Sequence, residues 1–183
     1  MSNLIFVIFN KKTNYQAFTL MELMIVIVII GILAAVGLTV FGGQAEKAKI
    51  AATKANHKTI NKFISVQLMN CDLGSELILK KLVSNKVTEQ SDLCPKVKNW
   101  GTGNNSHDII SAFDYHFKAE GWENPHNKNT TATSTCSVDV SRKQVSGNLG
   151  LTCINRDFWG KKILIGTKVS EAGEVLINSI KLQ

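Results

Sequence analysis

The chain has 183 residues, 44% of them hydrophobic, and a formal net charge of +7. That length allows one globular domain with an appendage, and that composition is ordinary for a folded protein. The charge is too modest to mark a dedicated nucleic-acid binder, although a basic balance also suits anionic surfaces. These averages hide an asymmetry, because the apolar residues are concentrated in one uninterrupted block near the start.

Ahead of that block stands MSNLIFVIFNKKTNYQA, whose apolar stretch at residues 4–9 is far too short to cross a bilayer. We read residues 1–17 as a leader, held on the cytoplasmic side by Lys11 and Lys12 under the positive-inside rule. Lys47, Lys49, Lys54 and Lys58 on the far side oppose that orientation and are offset only by Glu46. Charge counting alone would invert the topology.

Residues 23–41 carry no charge, and Thr39 is their one polar side chain. As a helix this run spans roughly 28 Å, close to the hydrocarbon thickness of a membrane. A helix apolar on every side needs lipid or a large core around it, and the remaining chain is too small to wrap it. The run is longer than the apolar region of a secretory signal, and no A-x-A site closes it, so we expect it to be retained.

Gly37, Gly42 and Gly43 mark a candidate hinge, since each glycine weakens a helix by about 1 kcal/mol relative to alanine. The helix is expected to resume to about Asn70, with Ala48, Ala52, Ala55, Thr59 and Phe63 forming its buried face and the lysines its solvated one. Residues 71–135 read as a mixed region with helical patterns at 75–83 and 108–119 and surface loops at 99–106 and 124–135. Beyond Cys136 the period becomes two. SVDVS, LGLTCIN, KILIGTKV and EVLINSIKL predict a four-stranded antiparallel sheet over about 136–183, covered on its apolar face by the second half of the long helix. The expected class is therefore α+β, a lollipop with an apolar stem and a mixed head.

The stretch AFTLMELMIVIVIIGILAAVG, residues 17–37, closely resembles the leader-peptidase recognition motif of type IV pilins and pseudopilins. The resemblance implies cleavage between Ala17 and Phe18 by a membrane prepilin peptidase, N-methylation of Phe18, and polymerisation into a helical filament. It also implies a stay in the inner membrane as a single-pass protein with a cytoplasmic N-terminus. An inner-membrane platform protein and a cytoplasmic assembly ATPase would then move the subunit into an extracellular pilus. The family usually has glycine where Ala17 stands, and many members carry a proline in the stem that this chain lacks. The resemblance covers residues 17–37, with a looser match in plan to about 70.

Glu22 has a physical case of its own, because a carboxylate at the mouth of an apolar helix demands a partner. A new amine at Phe18 would supply one, from the same chain one turn away or from a displaced neighbour. The resemblance implies the intersubunit pair, which would set the stagger of the polymer. The alternative is an interfacial residue snorkelling on an ordinary anchor. Gly31 and Ala35 form a small-xxx-small pair that lets helices approach closely, a weak signal on its own.

Cys71, Cys94, Cys136 and Cys153 follow the apolar block, and their even number and wide spacing point to disulfides in an oxidising compartment. Three connectivities are open, and we favour the short-range pairs Cys71 with Cys94 and Cys136 with Cys153. The four histidines are scattered, and no catalytic or phosphate-binding motif accompanies them, so no enzyme, cofactor or metal site is expected. Asn104 and Asn129 begin chance-level glycosylation patterns. Trp100, Trp122 and Trp159 are expected mainly in the core. The reading is a pilus subunit, with a type II secretion pseudopilin, a minor pilin, or a pilin that binds DNA for uptake as alternatives.

Overall fold

The computed structural model describes residues 18–157 and 159–182, so the expected leader, with Ala17, lies outside the described residues. The chain divides into two compact units, residues 1–44 and 45–183. The first contains helix α1, Leu20–Phe41. Residues 20–37 of it have a mean hydropathy of 2.8 and none of them is buried, so this helix is long and apolar enough to cross a membrane. It ends at a turn formed by Gly42 and Gly43, where the sequence placed a hinge.

Helix α2, Gln44–Asp72, buries Thr53, His57, Ile60, Ile64, Leu68 and Cys71. This corrects the expected face. Ala48, Ala52, Ala55 and Thr59 face solvent, and Phe63 is half-buried. Both stripes repeat at three and four residues and lie about one residue apart around the helix. The choice falls to the stripe with branched side chains, since Ile60, Ile64 and Leu68 remove far more apolar area from water than alanines can.

Strand β1, Leu79–Val83, pairs antiparallel with β2, Lys86–Gln90. Here the expected helix at residues 75–83 is overturned. Val83 opposes Lys86 across a two-residue loop in which Ser84 and Asn85 both have positive φ, the tight hairpin geometry that matches strand twist. Helix α3, Cys94–Lys98, begins with Pro95 near its N-terminus, and α4, Asn105–Ala119, realises the expected helix at 108–119. The loop expected at 124–135 is instead a hairpin of β3, Glu123–Asn124, with β4, Asn127–Thr131, followed by β5, Thr133–Ser134.

The main sheet has the order β10-β9-β8-β5, where β8 is Thr152–Asp157, β9 Lys162–Lys168 and β10 Val175–Lys181. These last three strands are antiparallel neighbours, as the alternation predicts. The fourth member differs: β5 joins β8 in parallel, while β6, Val138–Asp139, pairs only with β7, Gln144–Val145. On one face of the sheet, Ile154, Ile163 and Ile165 belong to the same core as Ile60 and Ile64 of α2 and Phe113 and Phe117 of α4. On the other, Val138 of the small hairpin meets Cys153 and Leu164, with Val145 and Ile177 at the edge. β9 is therefore buried on both faces, which accounts for its nearly unbroken apolar run.

Two disulfides, Cys71–Cys94 and Cys136–Cys153, close this unit, with Cα separations of 5.3 and 5.0 Å. Trp100 is buried and Trp122 half-buried, but Trp159 is 92% exposed at the turn between β8 and β9.

Candidate processing and assembly site

The start of α1 is built by Thr19. Its extended backbone, φ −74° and ψ 148°, turns the chain into the helix and leaves its side chain free to cap the first turn. The Glu22 amide donates to Thr19 Oγ1 at 3.2 Å. In return Glu22 Oε2 accepts from the Thr19 amide at 3.0 Å and from the Thr19 hydroxyl at 2.9 Å. This reciprocal capping box satisfies helix donors that would otherwise lack partners, and it points the carboxylate back toward Phe18 at the positive end of the helix dipole.

Glu22 is thus held by its own chain through one oxygen, and Oε1 has no hydrogen-bond partner among the described residues. Phe18, Leu20 and Met21 beside it are strongly exposed. The arrangement suits a carboxylate that keeps its orientation while offering a second oxygen to an incoming amine. The role of Thr19 escaped the sequence reading although its signal was present, since Thr19-x-x-Glu22 before an apolar run is a capping-box pattern.

Of the other residues singled out from the sequence, Ala17 lies outside the described residues. The four cysteines form their disulfides in the second unit. The histidines stay apart from one another, yet two of them organise the head. His57 Nδ1 lies 2.8 Å from Thr167 Oγ1, and Nε2 lies 2.6 Å from Asn178 Oδ1. Because a carbonyl oxygen can only accept, Nε2 carries the proton, and the Thr167 hydroxyl donates to Nδ1. Thr167 in turn takes the hydroxyl of Thr152 at 2.8 Å.

A hydroxyl, an imidazole and an amide in line have the outline of a nucleophile with its base and orienter. Burial excludes that use, because Thr167 and Thr152 are wholly inaccessible and His57 is 4% exposed, so no substrate reaches the hydroxyl. The network ties α2 to β8, β9 and β10. Burial pushes the His57 pKa below its ordinary value, against a smaller opposing effect of the Asn178 bond.

His116 stacks on Phe63 at 4.7 Å between ring centres, and its Nδ1 accepts the Lys80 amide at 3.0 Å. Burial lowers its pKa too, with Glu120 acting against the shift and Lys80 with it. Among the described residues no group of three or more His, Cys, Asp or Glu side chains is arranged to hold a metal.

In a comparison with protein families, residues 12–38 fit the prokaryotic N-terminal methylation motif, the prepilin-type signal of type IV pilins and pseudopilins. The matched segment spans the expected cut, Glu22 and most of α1. That motif belongs to filament-forming structural proteins rather than to an enzyme family, and it implies processing by a prepilin peptidase and polymerisation. Among the described residues one helix, near the N-terminus, is long and apolar enough to cross a membrane, which fits a single-pass anchor for such a protein. No curated protein and no solved structure matches the chain.

Proposed function

We propose that this prepilin-type chain is a subunit of a type IV pilus. In this reading residues 1–17 are a leader, residues 18–43 the membrane-spanning and polymerising stem, and residues 44–183 the displayed head. The prepilin peptidase cuts between Ala17 and Phe18, and Phe18 becomes the methylated amino terminus. The subunit waits in the inner membrane until a platform protein and a cytoplasmic ATPase draw it into an extracellular fibre.

The observation that carries the reading is the start of α1: an acid held at the mouth of an apolar helix none of whose residues 20–37 is buried, inside a methylation motif. Burying Glu22 among packed stems without a cation would be costly. An amine from a neighbouring Phe18 matches it in charge and reach, so each wrong stagger leaves an acid unpaired and the correct one is selected.

Mass spectrometry of the protein from a sheared surface-fibre fraction tests this. We expect a mature chain that starts at methylated Phe18 and dominates the fraction. An intact Met1, or a cut at any other bond, overturns the reading. The methylation motif is shared by pilins and pseudopilins, so a correctly processed chain absent from surface fibres would instead assign it to a secretion pseudopilin or a minor subunit.

A further inference from the structure

β10 ends the main sheet and has a neighbouring strand, β9, on one side only. The Val169 amide donates to the Glu174 carbonyl at 2.8 Å, and the Leu182 amide to the Lys161 carbonyl at 2.9 Å. Hydrogen-bonded pairs alternate along an antiparallel ladder. Between those two bonds Leu176, Asn178 and Ile180 therefore exchange bonds with β9, while Val175, Ile177, Ser179 and Lys181 turn their amides and carbonyls to the open edge. These outward groups have no hydrogen-bond partner among the described residues.

Edge strands are usually guarded against pairing by a proline, a bulge or a central charge. β10 has none of these: its register with β9 runs unbroken, and residues 175–180 carry no charge and no proline. A groove runs beside its first half, lined by Val175, Leu176, Ile177 and Asn178 and by Val140 and Lys143 of the β6–β7 turn. Val140 is half exposed there. The edge thus offers open backbone groups flanked by apolar side chains, the surface to which an extended strand adds.

Charge identifies the strand that fits. Glu171 and Glu174 stand at the start of β10, and Lys161, Lys162 and Lys181 at its end. Lys162 and Lys181 face each other directly across the ladder, an arrangement that repels unless an acid is near. Asp157, opposite Lys162 on β8, is turned to the Gly160 amide instead. Glu171 and these three lysines form no ion pair among the described residues, whereas Glu174 pairs with Lys54. A strand acidic at one end and basic at the other is complementary to an antiparallel copy of itself, and a parallel copy would set lysines beside lysines. Lys143 on the groove is one cation against two carboxylates at the acidic end.

We infer that β10 pairs antiparallel with β10 of a second copy of this chain, joining the two main sheets edge to edge. The strand runs from Val175 to Lys181, so full overlap centres the pair on Asn178. Val175 then exchanges hydrogen bonds with Lys181 of the other copy, and Ile177 with Ser179, which satisfies every outward group on both strands. The contact uses the same patch on each copy and closes on a pair. It needs no fibre, so it stands apart from the polymerisation reading.

Sedimentation velocity of the full-length chain in detergent, over a range of concentrations, tests the pairing. The parent should show a concentration-dependent dimer. In Ser179→Pro the lost amide is one that faces the open edge and makes no bond to β9, so the melting temperature should match the parent while the dimer disappears. A parent that stays monomeric overturns the pairing. So does a Ser179→Pro chain that dimerises like the parent, which would assign the contact to another surface such as the stem. Neither result touches the pilus reading, which is decided by the mature N-terminus.

A second measurement does not depend on how proline is tolerated. The two Ser179 side chains of the pair lie on one face, two residues apart along the strands, within reach of a short bismaleimide. Ser179→Cys should therefore cross-link to itself in the full-length chain. Adding Lys181→Glu, which sets acid against acid, should lower the yield about tenfold. Absence of the cross-link, or a yield indifferent to Lys181→Glu, overturns the pairing.

Discussion

A carboxylate at the mouth of an apolar helix is tolerable only because neighbouring groups share its cost, and Thr19 already supplies two hydrogen bonds to Glu22. Replacing Glu22 with alanine removes the charge but not the apolar stem, so we expect cleavage and methylation to persist while fibres fall to background, measured by mass spectrometry and by the sheared fraction. His57 and His116 set a second expectation at this scale. Each is held neutral in the fold, with its pKa lowered from an ordinary value near 6.5 chiefly by burial. The unfolded chain therefore binds the proton first as pH falls. The stability these residues contribute is complete above about pH 6.5 and is lost progressively below it. Thermal melting of the full chain in detergent should show a melting temperature that declines from pH 7.5 to 5, and His57→Gln should flatten that slope. Neither network was legible in the sequence, because Thr167 and Asn178 stand more than 100 residues from His57 and nothing local signals their meeting.

At the scale of elements, α2 shows how a periodic sequence can be right about form and wrong about face. Two stripes compete, and the larger buried area settles which one turns inward. Ile64 lies in the stripe that won and is wholly buried. Ile64→Ala should cost about 2–5 kcal/mol in denaturant unfolding, by lost transfer energy and a cavity between helix and sheet. Gly166 on β9 is an opposite case. A Cβ there would lie 2.6 Å from Val145 Cγ2 and 3.0 Å from both Val138 methyls, so the small hairpin packs directly on the glycine. We expect Gly166→Ala to destabilise by about 1–3 kcal/mol, because the buried Val138 and the half-buried Val145 packed on the glycine have little room to give. The β1–β2 hairpin escaped the sequence reading for a related reason. Its turn is Ser84–Asn85 rather than the usual Asn-Gly, and its strands have no clean alternation of burial.

For the whole molecule, the disulfides are the long-range ties of the second unit. Cys71–Cys94 joins the end of α2 to the start of α3 across 23 residues, and Cys136–Cys153 fastens the chain after β5 to β8 across 17. Each loop closure is worth about 3 kcal/mol through restriction of the unfolded chain. Replacing Cys71 and Cys94 together by serine should lower the melting temperature of the full chain measurably, and added reductant should do the same to the parent but not further shift a variant lacking both bridges.

What the sequence determined by itself was local or compositional. An uncharged run long enough to span lipid, a methylation motif around its start, helix formers after it and period-two strands at the end are each written in consecutive residues, and the α+β class follows from them. The tertiary structure decided what depends on competition between distant groups. It chose the inward face of α2, recruited β5 rather than β6 into the sheet, selected one of three cysteine pairings and assembled the buried His57 network. Those outcomes turn on buried area and hydrogen-bond satisfaction summed over residues far apart in the chain, and no window of neighbouring residues contains that sum.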